Sequence, residues 1–99
     1  ILETVKKALA KCSIAMQEIA YFDTVNANLR VTEIVLDALK IPREKSSIPY
    51  LKQFGHFGSH DIFFNLQCAL DEGRLKKGDI IVMQSTGVGF TWAAAVLRY

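Results

Sequence analysis

Both histidines of this 99-residue chain stand within five positions of each other, in Gly55-His56-Phe57-Gly58-Ser59-His60-Asp61, and a carboxylate closes the run. An imidazole with an acid about one helical turn away can act as a general base. The carboxylate fixes the tautomer and stabilises the imidazolium that forms. Gly55 and Gly58 let the backbone turn tightly and approach whatever binds there. His56 is thus the candidate base and Asp61 its support. Asp61 equally suits a first-turn carboxylate that favours the helix dipole, and His60 reads as a solvated first-turn residue. His56, His60 and Asp61 do not read as a metal site. No fourth ligand is evident, and an i, i+4 pair would need a helix running through Gly58.

An extended run before this loop and an apolar helix after it must position it. Residues 48–54 read as a strand, with Pro49 pushing it to a sheet edge or a distorted start. Residues 60–72 read as a helix with Ser59 as N-cap. Ile62, Phe63, Phe64, Leu66, Cys68, Ala69 and Leu70 leave it almost no polar face, which predicts burial on all sides. Upstream, residues 2–11 form an amphipathic helix, Ser13 caps a short turn over 14–18, and residues 19–25 form a strand. Asn28 caps a helix over 29–39 with Val31, Ile34, Val35 and Ala38 as its buried stripe, stopped by Pro42. Gly73 ends the apolar helix. Residues 79–85 form a strand covered on both faces, residues 86–89 a tight turn, and residues 90–98 a last strand with Phe90 and Trp92 in the core. The order α-β-α-β-α-β-β predicts an α/β unit, layered α-β-α, with a mixed sheet ending in a hairpin.

At this length the chain is one domain at most. It is 51% hydrophobic, with a mean hydropathy of +0.19, rich for a size that buries only roughly 60–65% of its unfolded surface. Part of that apolar content is expected to be covered by another chain or another half. The first residue, Ile1, already reads as helix, so the chain is expected to be a piece of something longer. A net charge of +2 with scattered lysines and arginines does not point to nucleic acid. Cys68 reads as core and Cys12 stands far from it, which fits a reducing, cytoplasmic setting. No signal peptide is visible and no apolar run reaches the ~18 residues of a membrane span.

Several stretches carry a resemblance. Gly73-Arg74-Leu75-Lys76-Lys77-Gly78-Asp79, then Gly87-Val88-Gly89-Phe90-Thr91-Trp92 and Leu97-Arg98, closely resemble the C-terminal half of the β-ketoacyl-ACP synthase III enzymes. Asn28-Leu29-Arg30-Val31 resembles the end of that family's H-Q-A-N-L-R-I motif, and Phe54-Gly55-His56 its Y-G-N motif. The resemblance implies that residues 1–99 are a synthase III C-terminal domain, the C-terminal half of a thiolase fold. In that fold two similar halves each place a buried helix at the centre of a five-layered body. It also implies a nucleophile in the N-terminal half, outside this chain, so that the chain alone is inactive.

The family's catalytic histidine falls at Val25 and its catalytic asparagine at His56. In the synthases those two hold the malonyl thioester carbonyl and stabilise the enolate. The pattern is therefore more similar to synthase-III-like acyltransferases of antibiotic and polyketide pathways, in which a histidine at the asparagine position is supported by an acid. They move an acyl group from an acyl carrier protein (ACP) or coenzyme A thioester through an acyl-enzyme. The resemblance further implies an oxyanion-hole N–H from Val88, flanked by Gly87 and Gly89. It implies carrier-protein or substrate contacts at Arg30 and Asn28 and a homodimer, and calls for no cofactor. Blander readings stand beside these: His56 as a structural residue in the asparagine site, Arg30 as an ordinary surface arginine, and the Gly87–Gly89 turn as a hairpin requirement. Two other functions stay open, decarboxylative β-ketoacyl-ACP synthesis and a non-catalytic partner subunit, the latter favoured by Val25.

Overall fold

The computed structural model describes all 99 residues. Its elements are α1 (Leu2–Lys11), β1 (Ile19–Thr24), α2 (Leu29–Leu39), α3 (Ile48–Phe54), α4 (Asp61–Asp71), β2 (Ile80–Gly87) and β3 (Thr91–Arg98), with short 3-10 turns at Met16–Glu18 and Arg43–Lys45. The three strands make one mixed sheet in the order β1-β2-β3, with β1 parallel to β2 and β3 antiparallel to it. A parallel pair needs a long crossover, and α2, α3 and α4 all lie in it. Consecutive strand residues point to opposite sides, so Phe22 and Val82 join one core with Val5, Leu9, Leu36 and Leu39. Tyr21, Ile81 and Met83 join the other, with Tyr50, Ala69 and Leu75. Helices α1 and α2 therefore cover one face and α4 the other, which is the layered α-β-α arrangement expected.

The α2 boundaries agree with the sequence. The Asn28 side chain accepts from Val31 N–H at 3.1 Å, supplying one of the first turn's orphan donors with an acceptor. The helix ends when Lys40 turns left-handed at φ +57° and the Ile41 N–H reaches back to Leu36 O at 2.9 Å. Its buried stripe differs from expectation. Thr32, Val35, Leu36 and Leu39 are buried, while Val31 and Ile34 are 45% and 52% exposed. The helix carries two apolar stripes, and packing against the sheet selects one of them.

Residues 48–54 are a helix, not a strand, so the element order is α-β-α-α-α-β-β. Pro49 lies in the first turn of α3, where its missing N–H would have had no helical partner anyway. Ser47 O accepts from Tyr50 N and Leu51 N, and Ile48 and Tyr50 are buried. Proline marked an element start correctly, and the helical alternative wins because α3 tucks Tyr50 against α4.

The buried side of α4 is Asp61, Asn65 and Ala69, each 0% exposed. This corrects the expectation of a helix buried on all sides. Phe63 is 66% exposed and Phe64 38%, because nothing in this chain covers the outward apolar face. The residue before the helix is His60, not Ser59, and Cys68 is only half-buried. Gly73 does end the helix region, with φ +70°. In the β2–β3 turn Gly89 and Phe90 take φ of +82° and +61°. Phe90 is 85% exposed and Trp92 44%, correcting their assignment to the core: this side of the hairpin is also uncovered here.

Candidate functional site

The loop between α3 and α4 turns at two glycines in left-handed φ, Gly55 at +71° and Gly58 at +97°, which other residues adopt only with strain. That path folds His56 back over the start of α4. Its Nδ1 lies 2.5 Å from Asp61 Oδ2. The same carboxylate accepts from Phe57 N–H at 2.9 Å through Oδ1 and from Asn26 N–H at 2.8 Å through Oδ2. Asp61 is the first residue of α4, where the helix dipole also favours a negative charge, so the two roles expected for it coincide.

The electrostatics follow from these contacts. Burial pushes the Asp61 carboxyl up, but the Phe57 N–H, the His56 ring and the Asn26 N–H together outweigh it and hold the carboxyl below its ordinary value. Asp61 is therefore ionised at neutral pH and can only accept. The proton between the two groups sits on His56 Nδ1, which leaves Nε2 as the nitrogen able to take another. The His56 side chain is 51% exposed while that of Asp61 is fully enclosed. A solvent-facing ring is thus held by a sequestered acid.

Three further residues complete the site, and none was singled out from the sequence for chemistry. Asn65, one turn along α4 from Asp61, donates through Nδ2 to Asn26 Oδ1 at 2.9 Å, Thr24 O at 3.1 Å and Asp23 Oδ1 at 3.1 Å. Asn26 donates through Nδ2 to Asn65 Oδ1 at 3.0 Å and to Gly55 O at 3.1 Å. Asp23 is 0% exposed and its Oδ2 meets no donor. Burial pushes its carboxyl up to about 8, against the smaller opposing pull of hydrogen bonds from Asn65, Ser47 and the Thr24 backbone, while Asp61 adds to the rise. A signal was present in the sequence: Asn65 is an amide set among apolar side chains at i+4 from Asp61, on the same side of the helix.

The other expected residues lie apart from this cluster. Val25, at the end of β1, lines a cavity with Phe22, Asn28, Val31, Gln84 and Thr86. The Asn28 side chain is engaged in capping α2. Arg30 projects into solvent with 78% of its side chain exposed, 3.9 Å from Glu33, a pair worth little at a surface. Val88 is fully exposed in the β2–β3 turn. Gly87 lies in β2 without a positive φ, whereas Gly89 has one. His60 is exposed. The structure brings His56 and Asp61 together, and Arg30, Asn28 and Val88 make no hydrogen bond to either.

Residues 9–99 match the C-terminal domain of 3-oxoacyl-[acyl-carrier-protein] synthase III. The chain belongs to that family. It is 39% identical over 95 residues, 96% of its length, to the β-ketoacyl-[acyl-carrier-protein] synthase III of Campylobacter jejuni. It superposes with a TM-score of 0.90 and 32% identity on the 3-oxoacyl-[acyl-carrier-protein] synthase III of Aquifex aeolicus VF5, covering 99% of this chain and 32% of that one. It also superposes with a TM-score of 0.89 and 28% identity on ChlB3, an acyltransferase, covering 98% and 29%. The architecture is thus the C-terminal part of a thiolase fold. The chain spans 29% of the length of the Campylobacter relative. None of its helices is long and apolar enough to cross a membrane.

Proposed function

We propose that the protein containing this synthase III C-terminal domain transfers an acyl group from an ACP or coenzyme A thioester to an acceptor through an acyl-enzyme. His56 is its base and Asp61 holds that base. The observation that carries this reading is the 2.5 Å contact between His56 Nδ1 and a fully buried Asp61. His56 Nε2 takes the proton of the nucleophile as the thioester is attacked, and later that of the acceptor. General base catalysis of this kind contributes ~10²–10⁴ in rate. The nucleophile comes from the other half of the fold, so this chain alone has no turnover. The Val88 N–H, between Gly87 and Gly89, supplies one oxyanion-hole donor. Arg30 and Asn28 face the carrier protein or substrate, and the protein works as a cytoplasmic homodimer. The likeness to ChlB3 supports transfer, as does the valine at position 25.

The relatives' names favour a second reading, decarboxylative condensation, with His56 doing part of the lost histidine's work. Val25 favours a third, a non-catalytic partner subunit. The full-length protein, offered an acyl thioester with and without malonyl-ACP, separates them. Acyl transfer without release of carbon dioxide, reduced ~10²-fold or more in a folded His56→Ala variant, is the expected result. Carbon dioxide with a ketoacyl product gives the second reading. Turnover absent from wild type, or unchanged by the substitution, removes His56 as base.

A further inference from the structure

We propose that Asn26 and Asn65 are positioning residues whose paired side-chain amides, bonded to each other in both directions, hold Asp61 against His56 and fix the loop that carries the imidazole. This rests on the reading of His56 as a base.

Asn26 grips three parts of the site at once. Its backbone N–H donates to Asp61 Oδ2, its Nδ2 donates to the carbonyl of Gly55, the residue just before His56, and its amide pairs with Asn65. Asn65 ties that arrangement to the helix bearing Asp61, four residues away on the same buried side. Its Nδ2 has two hydrogens and faces three acceptors, on Asn26, Thr24 and Asp23, so neither hydrogen is idle. The two residues are 3% and 0% exposed. Buried amides destabilise unless they are paired, and once paired they accept one orientation only. Simple packing would be met by a small apolar residue, as Ala69 shows one turn further along the same side.

The choice of amides over acids matters for the charge. Asp61 must stay ionised to hold the Nδ1 proton, and a second buried carboxylate beside it would oppose that. Asn65 supplies shape and donors without charge. Burial pushes the carboxyl of Asp23, beneath it, up to about 8, which favours the neutral form there. The ionisable groups that interact with Asp23 are Asp61 on α4 and Tyr21 on its own strand. The end of β1, where the family places its histidine, thus contributes here by orienting an acid.

The test is Asn65→Ala in the full-length protein, with histidine ring 15N shifts reporting the tautomer and His60→Asn used to assign His56. Expected are a wild-type ring held as the Nδ1–H form, a mixture of tautomers in the folded variant, and a kcat lowered about tenfold with little change in KM. In a His56→Ala background the same substitution should cost nothing further, since coupled residues are not additive. A ring that stays in the Nδ1–H form, or a kcat loss repeated in full without His56, overturns the proposal. If Asn65→Ala does not fold, Asn26→Ser and Asn65→Ser are read in the same way. A tautomer shift in a protein whose His56→Ala variant turns over normally upholds the positioning and overturns the base instead.

Discussion

His56 and Asp61 are bonded as one unit because the acid oxygen facing the ring has no partners but donors. Every hydrogen bond that Asp61 makes comes from a donor, two of them backbone N–H groups. Asp61→Asn would turn an NH2 group toward one of those donors in a dry site. We expect it to destabilise the fold by about 2–4 kcal/mol in urea unfolding and to lower turnover of the full-length protein ~10²-fold or more. The two buried acids should also give opposite pH dependences. The folded pKa of Asp61 is depressed, so its contribution is present above the ordinary carboxylate range and lost as pH falls below about 4. The folded pKa of Asp23 is raised to about 8, so its contribution is complete below about pH 4. As pH rises from there to about 8 the unfolded chain releases a proton that the folded one keeps, and stability falls. Asp23→Asn keeps the acceptor for Asn65 and removes that slope. Unfolding midpoints at pH 5 and pH 8 should converge in the variant and differ in wild type.

At the scale of elements, the turns decide what the helices can hold. A Cβ at Gly58 would meet nothing within 4 Å, yet its φ is +97°, so Gly58→Ala acts through the backbone alone. We expect about 1–3 kcal/mol of lost stability and a displaced His56, read as a loss of the single ring tautomer. Gly87 is the contrast. Its φ is ordinary and an added Cβ would meet Thr91 Cβ at 3.5 Å, a normal contact. Gly87→Ala should change stability by no more than about 0.5 kcal/mol, measured by thermal unfolding. Where an element's ends were chemical they could be read directly: Asn28 before α2, and Gly73 after α4. Pro49 was ambiguous, since the same missing N–H suits a strand edge and a helix's first turn. Only the packing of Tyr50 distinguishes them.

Across the whole molecule the apolar surplus seen in the composition becomes a surface. Phe63, Ala93, Ala95 and Leu97 line a shallow apolar cavity with Ile62 and Met83, and Phe90 and Trp92 stand exposed nearby in sequence on the hairpin. A patch of this kind on a small chain marks an interaction surface. The chain by itself should self-associate in size-exclusion chromatography and bind a hydrophobic dye. Phe63→Glu should reduce both, and in the full-length protein the same change should lower the yield of folded enzyme. A monomeric, dye-silent wild-type chain would contradict this.

The amino-acid sequence by itself determined the α/β class, the hairpin, the N-cap of α2, the family and the His56–Asp61 pairing. Each of these is a local or periodic signal, carried by residues within a few positions or by motif spacing. It could not show which stripe of α2 faces inward, that α3 is a helix, or that α4 turns Asp61 and Asn65 in and its phenylalanines out. The Asp23–Asn65–Asn26 cluster was equally hidden, because Asn65 lies about 40 residues from the other two and meets them only when α4 crosses the end of β1. Burial and hydrogen-bond partnership across such separations are set by how the layers stack, and an amide in an apolar run gains its meaning from the acid and the second amide that the fold places against it.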